Sequence, residues 1–120
     1  MHNLVYLIGR LTEEPEVREL EDGKTTLAIN LAVQRSYKNE DGIYETDYID
    51  CNLWNGVAQS TCEYCHKGDL VGIKGRIQTN IIEKDNGEKT KITEVIADKV
   101  SFLTSKQNIM EKEEDKEMDI

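Results

Sequence analysis

Residues Tyr44–Trp54 read YETDYIDCNLW. On an extended strand successive side chains alternate between two faces, and here the two faces are unlike. The odd positions Ile49, Cys51 and Leu53 are apolar. The even positions Tyr44, Thr46, Tyr48, Asp50, Asn52 and Trp54 are polar, with flat rings set among them. One face belongs to a core. The other carries three aromatic rings that a purely structural face has little reason to expose.

The flanking segments extend the same pattern. Upstream, Thr25–Arg35 alternates cleanly, with Leu27, Ile29, Leu31 and Val33 on one face and Ala28, Asn30, Ala32 and Gln34 on the other. The polar stretch Ser36–Gly42 (SYKNEDG) links it to the opening strand, and Tyr37 is its only large ring. Further upstream, residues 3–11 (NLVYLIGRL) are apolar on both faces, which predicts a strand buried on both sides and ending near Gly9. Thr12–Pro15 interrupts the chain, Glu16–Leu20 is a candidate short strand, and Asp22-Gly23 is a hairpin turn.

Downstream, Asn55 is placed to cap a helix running to about His66, with Lys67 and Gly68 as its stop. Its apolar stripe is Val57, Thr61, Tyr64 and Cys65, with Ala58 and Cys62 beside it. Leu70–Thr79 is a fourth strand whose internal glycines suit a barrel corner. Asp85-Asn86-Gly87 turns a second long hairpin into a last strand over 89–103. From Lys106 the apolar periodicity stops, and residues 106–120 are expected to be a disordered acidic tail behind a 1–105 domain. Five strands with one short helix between the third and fourth is the layout of an OB-fold, an all-β Greek-key barrel that binds oligonucleotides on one face. Other small all-β barrels share such patterning.

Length and charge narrow the classes. A chain of 120 residues suffices for one domain with its own core. No apolar run approaches a membrane span and the N-terminus lacks a signal-peptide layout, so a cytoplasmic protein is expected. Three cysteines, an odd number, fit a reducing compartment better than a disulfide framework. The net charge of −9 argues at face value against a nucleic-acid partner. Residues 106–120 hold three basic and six acidic side chains; the remaining twelve basic and eighteen acidic still net −6, so the tail alone does not explain the acidity.

Several stretches resemble the bacterial single-stranded DNA-binding protein family: LIGRLTEEPEVREL (7–20), TLAINLAVQRSYKNEDG (26–42), TDYIDCNLWN (46–55), KGDLVGIKGRIQT (67–79) and TEVIADKVSFL (93–103). They follow the family's order and spacing across nearly all of residues 1–104. The resemblance implies an OB-fold homotetramer without catalysis, associated with the nucleoid, that wraps single-stranded DNA in replication, recombination and repair. It places the base-stacking rings at Tyr37, Tyr48 and Trp54, two of which alternation alone had already put on one face. Tyr44 shares that face but lies near the hairpin tip and is left out of the set. Where the family usually has a basic residue and then an aromatic, this chain has Asn80 and Ile82. Family tails typically close acids with Pro-Phe for partner enzymes, whereas this sequence ends EMDI, which predicts weak docking of replication and repair proteins.

Phosphate contacts supply most of the affinity of a non-specific binder. Arg35, Lys38, Lys74 and Arg76 lie beside the expected track, and Lys84 lies on the second hairpin with Lys89 and Lys91 nearby. Glu40, Asp41, Glu45, Asp47, Glu83 and Asp85 share these loops and weaken the field. Tyr6 and Tyr64, set in apolar patterns, are assigned to packing.

Cys62-Glu63-Tyr64-Cys65-His66 matches CxxCH, the spacing of c-type haem attachment, of redox thiols or of a zinc half-site. Haem attachment needs an export signal, and zinc needs a second pair that only Cys51 and His66 could improvise. Both cysteines also fit helix positions that want small apolar residues. No metal or cofactor is therefore expected. The reading is a sequence-independent single-stranded DNA binder, not an enzyme. The alternative is an OB-fold protein-interaction subunit with vestigial DNA binding.

Overall fold

The computed structural model describes residues 1–104. The elements in order are β1 (Val5–Leu11), β2 (Arg18–Glu19), β3 (Thr25–Lys38), β4 (Tyr44–Trp54), α1 (Asn55–Tyr64), β5 (Leu70–Glu83) and β6 (Lys89–Thr104). The five long strands close into a barrel. β1 pairs antiparallel with β5 from Val5–Gly75 to Arg10–Leu70, and β5 pairs with β6 along nearly its whole length. β6 lies parallel to β4 at Cys51–Val95 and Asn52–Ile96, and β4 pairs antiparallel with β3. β3 then returns to β1 at Arg10–Ala32 and Leu11–Leu31. The two-residue β2 only extends the edge of β3. This is the five-stranded OB-fold barrel with one helix that the order of elements predicts.

The core follows from alternation. Leu27, Ile29 and Leu31 of β3, Cys51 and Leu53 of β4, and Val71 and Ile73 of β5 are buried together with Leu11 and Ala97. Each large aliphatic side chain buried in this way contributes about 1.5–3 kcal/mol. α1 closes one end by burying Ala58 and Thr61, with Cys65 just beyond it.

Two glycines allow the closure. A Cβ on Gly9 would stand 2.6 Å from the Ala32 carbonyl oxygen, where β1 meets β3. A Cβ on Gly75 would sit well inside contact with the Ile96 carbonyl oxygen. Gly75 follows directly on a register shift between β5 and β6, so the strand turns its corner where only a glycine fits.

The structure corrects several expectations. Asn55 does not cap α1: Trp54 holds the cap position, with no side-chain hydrogen bond. Asn55 has φ +52° and instead accepts the Thr25 backbone N–H on its Oδ1 at 3.3 Å, tying the helix start to β3. The helix ends at Tyr64, short of His66, because the chain is drawn back to β1. Gly68 N–H donates to the Leu11 carbonyl, and Leu11 N–H donates to that of Asp69. β1 is not buried on both faces, since Leu4, Tyr6 and Ile8 lie on the outer side of the barrel and are exposed. Tyr6 packs laterally over Gly72, whereas Tyr64 is exposed rather than a core residue. The 106–120 tail lies outside the described residues.

The corner predicts an asymmetry between two glycine substitutions. Gly75→Ala should lower unfolding stability by about 1–3 kcal/mol or more, the usual cost of overpacking. Gly56→Ala, in α1 with open space around it, should be neutral or stabilising by up to about 1 kcal/mol. Urea unfolding measures both, and a Gly75→Ala chain as stable as the parent would contradict this account of the corner.

Candidate nucleic-acid interface

The outward face of β4 begins with its neighbours. β3 sets Ala32 opposite Tyr48, Ala28 opposite Asn52 and Thr26 opposite Trp54. These short side chains leave the rings standing above a low floor. Tyr48 is 69% exposed and Trp54 40%, while Cys51 and Leu53 between them are fully buried. On the other side β6 brings Glu94 to Asn52, whose Nδ2 donates to its carboxylate at 3.0 Å. Asn30 Nδ2 likewise donates to Asp50 at 2.8 Å. Carboxylates thus lie among the rings, which favours bases over phosphates on this floor.

Tyr37 is well exposed but sits in the irregular stretch between Gln34 and Lys38, where the β3–β4 register shifts. Strand parity does not carry it to Tyr48's face. Tyr44 does share that face by parity. Sequence reasoning set it aside for its place near the tip, although its period-two spacing from Tyr48 was the signal.

The cations divide into two kinds. Arg35 grips Asp47 through Nε and Nη2, at 2.9 Å for the closest contact, and Glu45 through Nη1 at 2.6 Å. The hydrogen bond to Asp47 raises the Arg35 pKa above its ordinary value, and the same bond holds the Asp47 carboxyl below the usual range. Asp47 and Glu45 occupy odd positions, so this cluster lies on the face of the hairpin opposite Tyr48. Arg76 is paired with Asp98. Among the described residues Lys38, Lys74 and Lys84 form no ion pair: Lys38 stands over the Tyr44 ring, Lys74 lies in register between Tyr6 and Lys99, and Lys84 sits at the second hairpin turn. Asn80 and Ile82 lie on the exposed far end of β5.

A floor of short side chains under exposed rings, on one face of a closed barrel, is a surface that can stack flat ligands. Residues 2–103 match the model of the Single-strand binding protein family. The chain belongs to this family. It is 46% identical over 106 residues to Single-stranded DNA-binding protein B of Bacillus subtilis (strain 168), covering 88% of this chain and 94% of that protein. It is 42% identical over 108 residues to Single-stranded DNA-binding protein 3 of Listeria innocua serovar 6a, covering 90% of this chain and 68% of that protein.

In this member of the Single-strand binding protein family the CxxCH run serves the fold. Cys65 is buried in the core, and burial raises its thiol pKa; burial likewise pushes Cys51 up to about 11. Cys62 Sγ donates to the Pro15 carbonyl at 3.4 Å. His66 Nδ1 meets Glu14 Oε1 at 2.7 Å, and Glu14 Oε2 accepts the Lys67 N–H at 2.9 Å. Glu14 therefore clips the loop after β1 to the loop after α1. Among the described residues no cluster of three or more His, Cys, Asp or Glu side chains could hold a metal.

The clip has a defined pH window. The hydrogen bond to Glu14 raises the His66 pKa, so its stabilising contribution is complete below the unfolded-state value and is lost as pH rises through the raised one. The Lys67 N–H, and then His66, lower the Glu14 pKa, so that contribution is lost as pH falls through the lowered value. An NMR titration should place the His66 midpoint above the ordinary value of about 6.5. Glu14→Gln should return it there, and a midpoint unmoved by that substitution would contradict the clip.

Proposed function

We propose that the chain binds single-stranded DNA without sequence preference and coats exposed strands during replication, recombination and repair. It does so by binding alone, with no cofactor. The observation that carries this reading is the pair of exposed rings, Tyr48 and Trp54, over a floor of small side chains on the open face of β4. Every base has a π-face, so stacking tolerates any sequence and contributes about 1–3 kcal/mol per base. The names of the family relatives weigh in the same direction, and against a protein-docking subunit with vestigial DNA binding.

Tyr37 extends the set of rings onto the hairpin. Phosphates fall to Lys38, Lys74 and Lys84, three of the cations that form no ion pair among the described residues. Arg76 joins them at the cost of loosening Asp98, and Arg35 serves mainly to brace the hairpin. A net charge of −9, with acids set among the rings, makes this a binder that leans on stacking, and the phosphate contacts it does make weaken as salt rises. The exposed apolar row of Leu4, just before β1, and Tyr6 and Ile8 on β1, with Phe102 and Leu103 on β6, supports assembly as a homotetramer. Work on DNA places the protein in the cytoplasm at the nucleoid.

Fluorescence anisotropy with labelled oligo-dT tests the reading. Tyr48→Ala and Trp54→Ala should each lose about 1–3 kcal/mol of binding. Lys74→Ala should flatten the slope of log K against log salt by about 0.7, one single-strand phosphate. Arg76→Ala should flatten it less. Ring variants that bind like the parent would overturn the stacking surface. Light scattering of the same preparation should give a mass near four chains, and a monomer at micromolar concentration would overturn the assembly.

A further inference from the structure

The tip of the β3–β4 hairpin carries chemistry that neither the barrel nor the Tyr48–Trp54 pair uses. Tyr44 is 45% exposed on the same face of β4 as Tyr48, about 13 Å further along the strand at ~3.3 Å per residue. It stands in register with Lys38, whose Nζ lies 5.5 Å from the centroid of the ring. That is cation–π range, and at an exposed site such a pair contributes only about 0.5–1 kcal/mol. The fold therefore has little need of it.

The register shift brings the two together. Between the Gln34–Thr46 and Lys38–Tyr44 pairs, β3 carries three residues, Arg35, Ser36 and Tyr37, against the single Glu45 of β4. Without that bulge Ser36, not Lys38, would stand opposite Tyr44.

The back of the same tip is braced by a continuous chain of hydrogen bonds. Arg35 holds Asp47 and Glu45, and Glu45 Oε1 accepts Asn39 Nδ2 at 3.1 Å. Asn39 Oδ1 in turn accepts the N–H groups of Asp41 at 2.9 Å and Ile43 at 3.0 Å. Asn39 N–H donates to the Ile43 carbonyl and Gly42 N–H to that of Asn39, with Gly42 at φ +76°. The bracing acids Glu45 and Asp47 are spent on Arg35, so they oppose a phosphate on the front less than their number suggests. Glu40 and Asp41 remain at the turn.

A braced tip that presents a half-exposed ring and an ammonium without an ion pair offers two things at once: a π-face for a base and a cation for the phosphate beside it. We propose that Tyr44 and Lys38 form a further nucleotide subsite, which carries the single strand from the barrel onto the hairpin. The inference rests on the single-stranded DNA reading above. On binding, a base stacks on Tyr44 and Lys38 turns from the ring to the adjacent phosphate.

The test uses the full chain and oligo-dT of about sixteen nucleotides, the upper end of site sizes per OB-fold. Tyr44→Ala should lose roughly five- to a hundredfold in affinity, the loss of one stacked base. Tyr44→Phe should keep most of it, and Lys38→Ala should flatten the salt slope by about 0.7. In the double variant Trp54→Phe, Tyr44→Trp the sole indole stands at position 44, and its emission should be quenched by the oligonucleotide. Parental affinity in Tyr44→Ala, or an unquenched indole at position 44 with binding verified by anisotropy, would overturn the subsite. If Trp54→Ala also left affinity untouched, the stacking reading itself would fail. A loss in Trp54→Ala but none in Tyr44→Ala would remove the subsite alone.

Discussion

The burial of Cys51 and Leu53 in β4 is the constraint on which the surface depends. A strand has a side-chain period of two, so a slip of one residue would send both into water and bring Tyr48, Asp50, Asn52 and Trp54 inside. Such a slip would bury a carboxylate and an amide without partners, each a cost of kcal/mol size. β3 enforces the register through consecutive pairs from Thr26–Trp54 to Gln34–Thr46, and β6 does so from the other edge at Cys51–Val95 and Asn52–Ile96. With the core face fixed, Tyr48 and Trp54 have nowhere to go but outward. The rings are exposed because the aliphatic residues between them are not.

Charge works differently across this molecule than its total suggests. Arg35 and Arg76 are paired with acids of their own strands' partners. Asp50 and Glu94 are held by asparagine amides on the ring face. On the proposed reading a long polyanion would meet a surface whose attraction lies in its rings, with lysines at Lys38, Lys74 and Lys84 around it. Ion pairs at exposed positions contribute little to stability, so the Arg35 cluster matters more for keeping the hairpin in one shape than for holding the barrel together.

The barrel was legible wherever one face of an element is buried. Leu27, Ile29 and Leu31 against Ala28, Asn30 and Ala32 needed no structure to be sorted. Legibility ended where burial ended. β3 continues to Lys38 and β5 to Glu83, past the Arg35 and Thr79 at which apolar alternation stops, because those arms are held by cross-strand pairing and not by a core. β1 misled for a related reason: Leu4, Tyr6 and Ile8 are apolar, yet the described residues leave all three exposed. Asn55 had the right chemistry for a cap, but its amide was taken by Thr25, thirty positions away, a contact that no local pattern encodes. Among the proposed site residues, alternation put Tyr48 and Trp54 on the outward face of β4, where the structure exposes both. It could not tell that Arg35 was already engaged by Glu45 and Asp47, since a side chain's partner across a bulged hairpin depends on a register that sequence leaves open.

Trp54 is the only tryptophan in the chain, so its intrinsic emission reports on the stacking face alone. Titration of the unmodified protein with oligo-dT at low salt is the most direct measurement of the central claim. A base stacked on the indole should quench that emission, with saturation that follows binding measured by anisotropy. Emission unchanged at saturating DNA, while anisotropy reports a complex, would contradict the claim and leave the exposed face of β4 without its role.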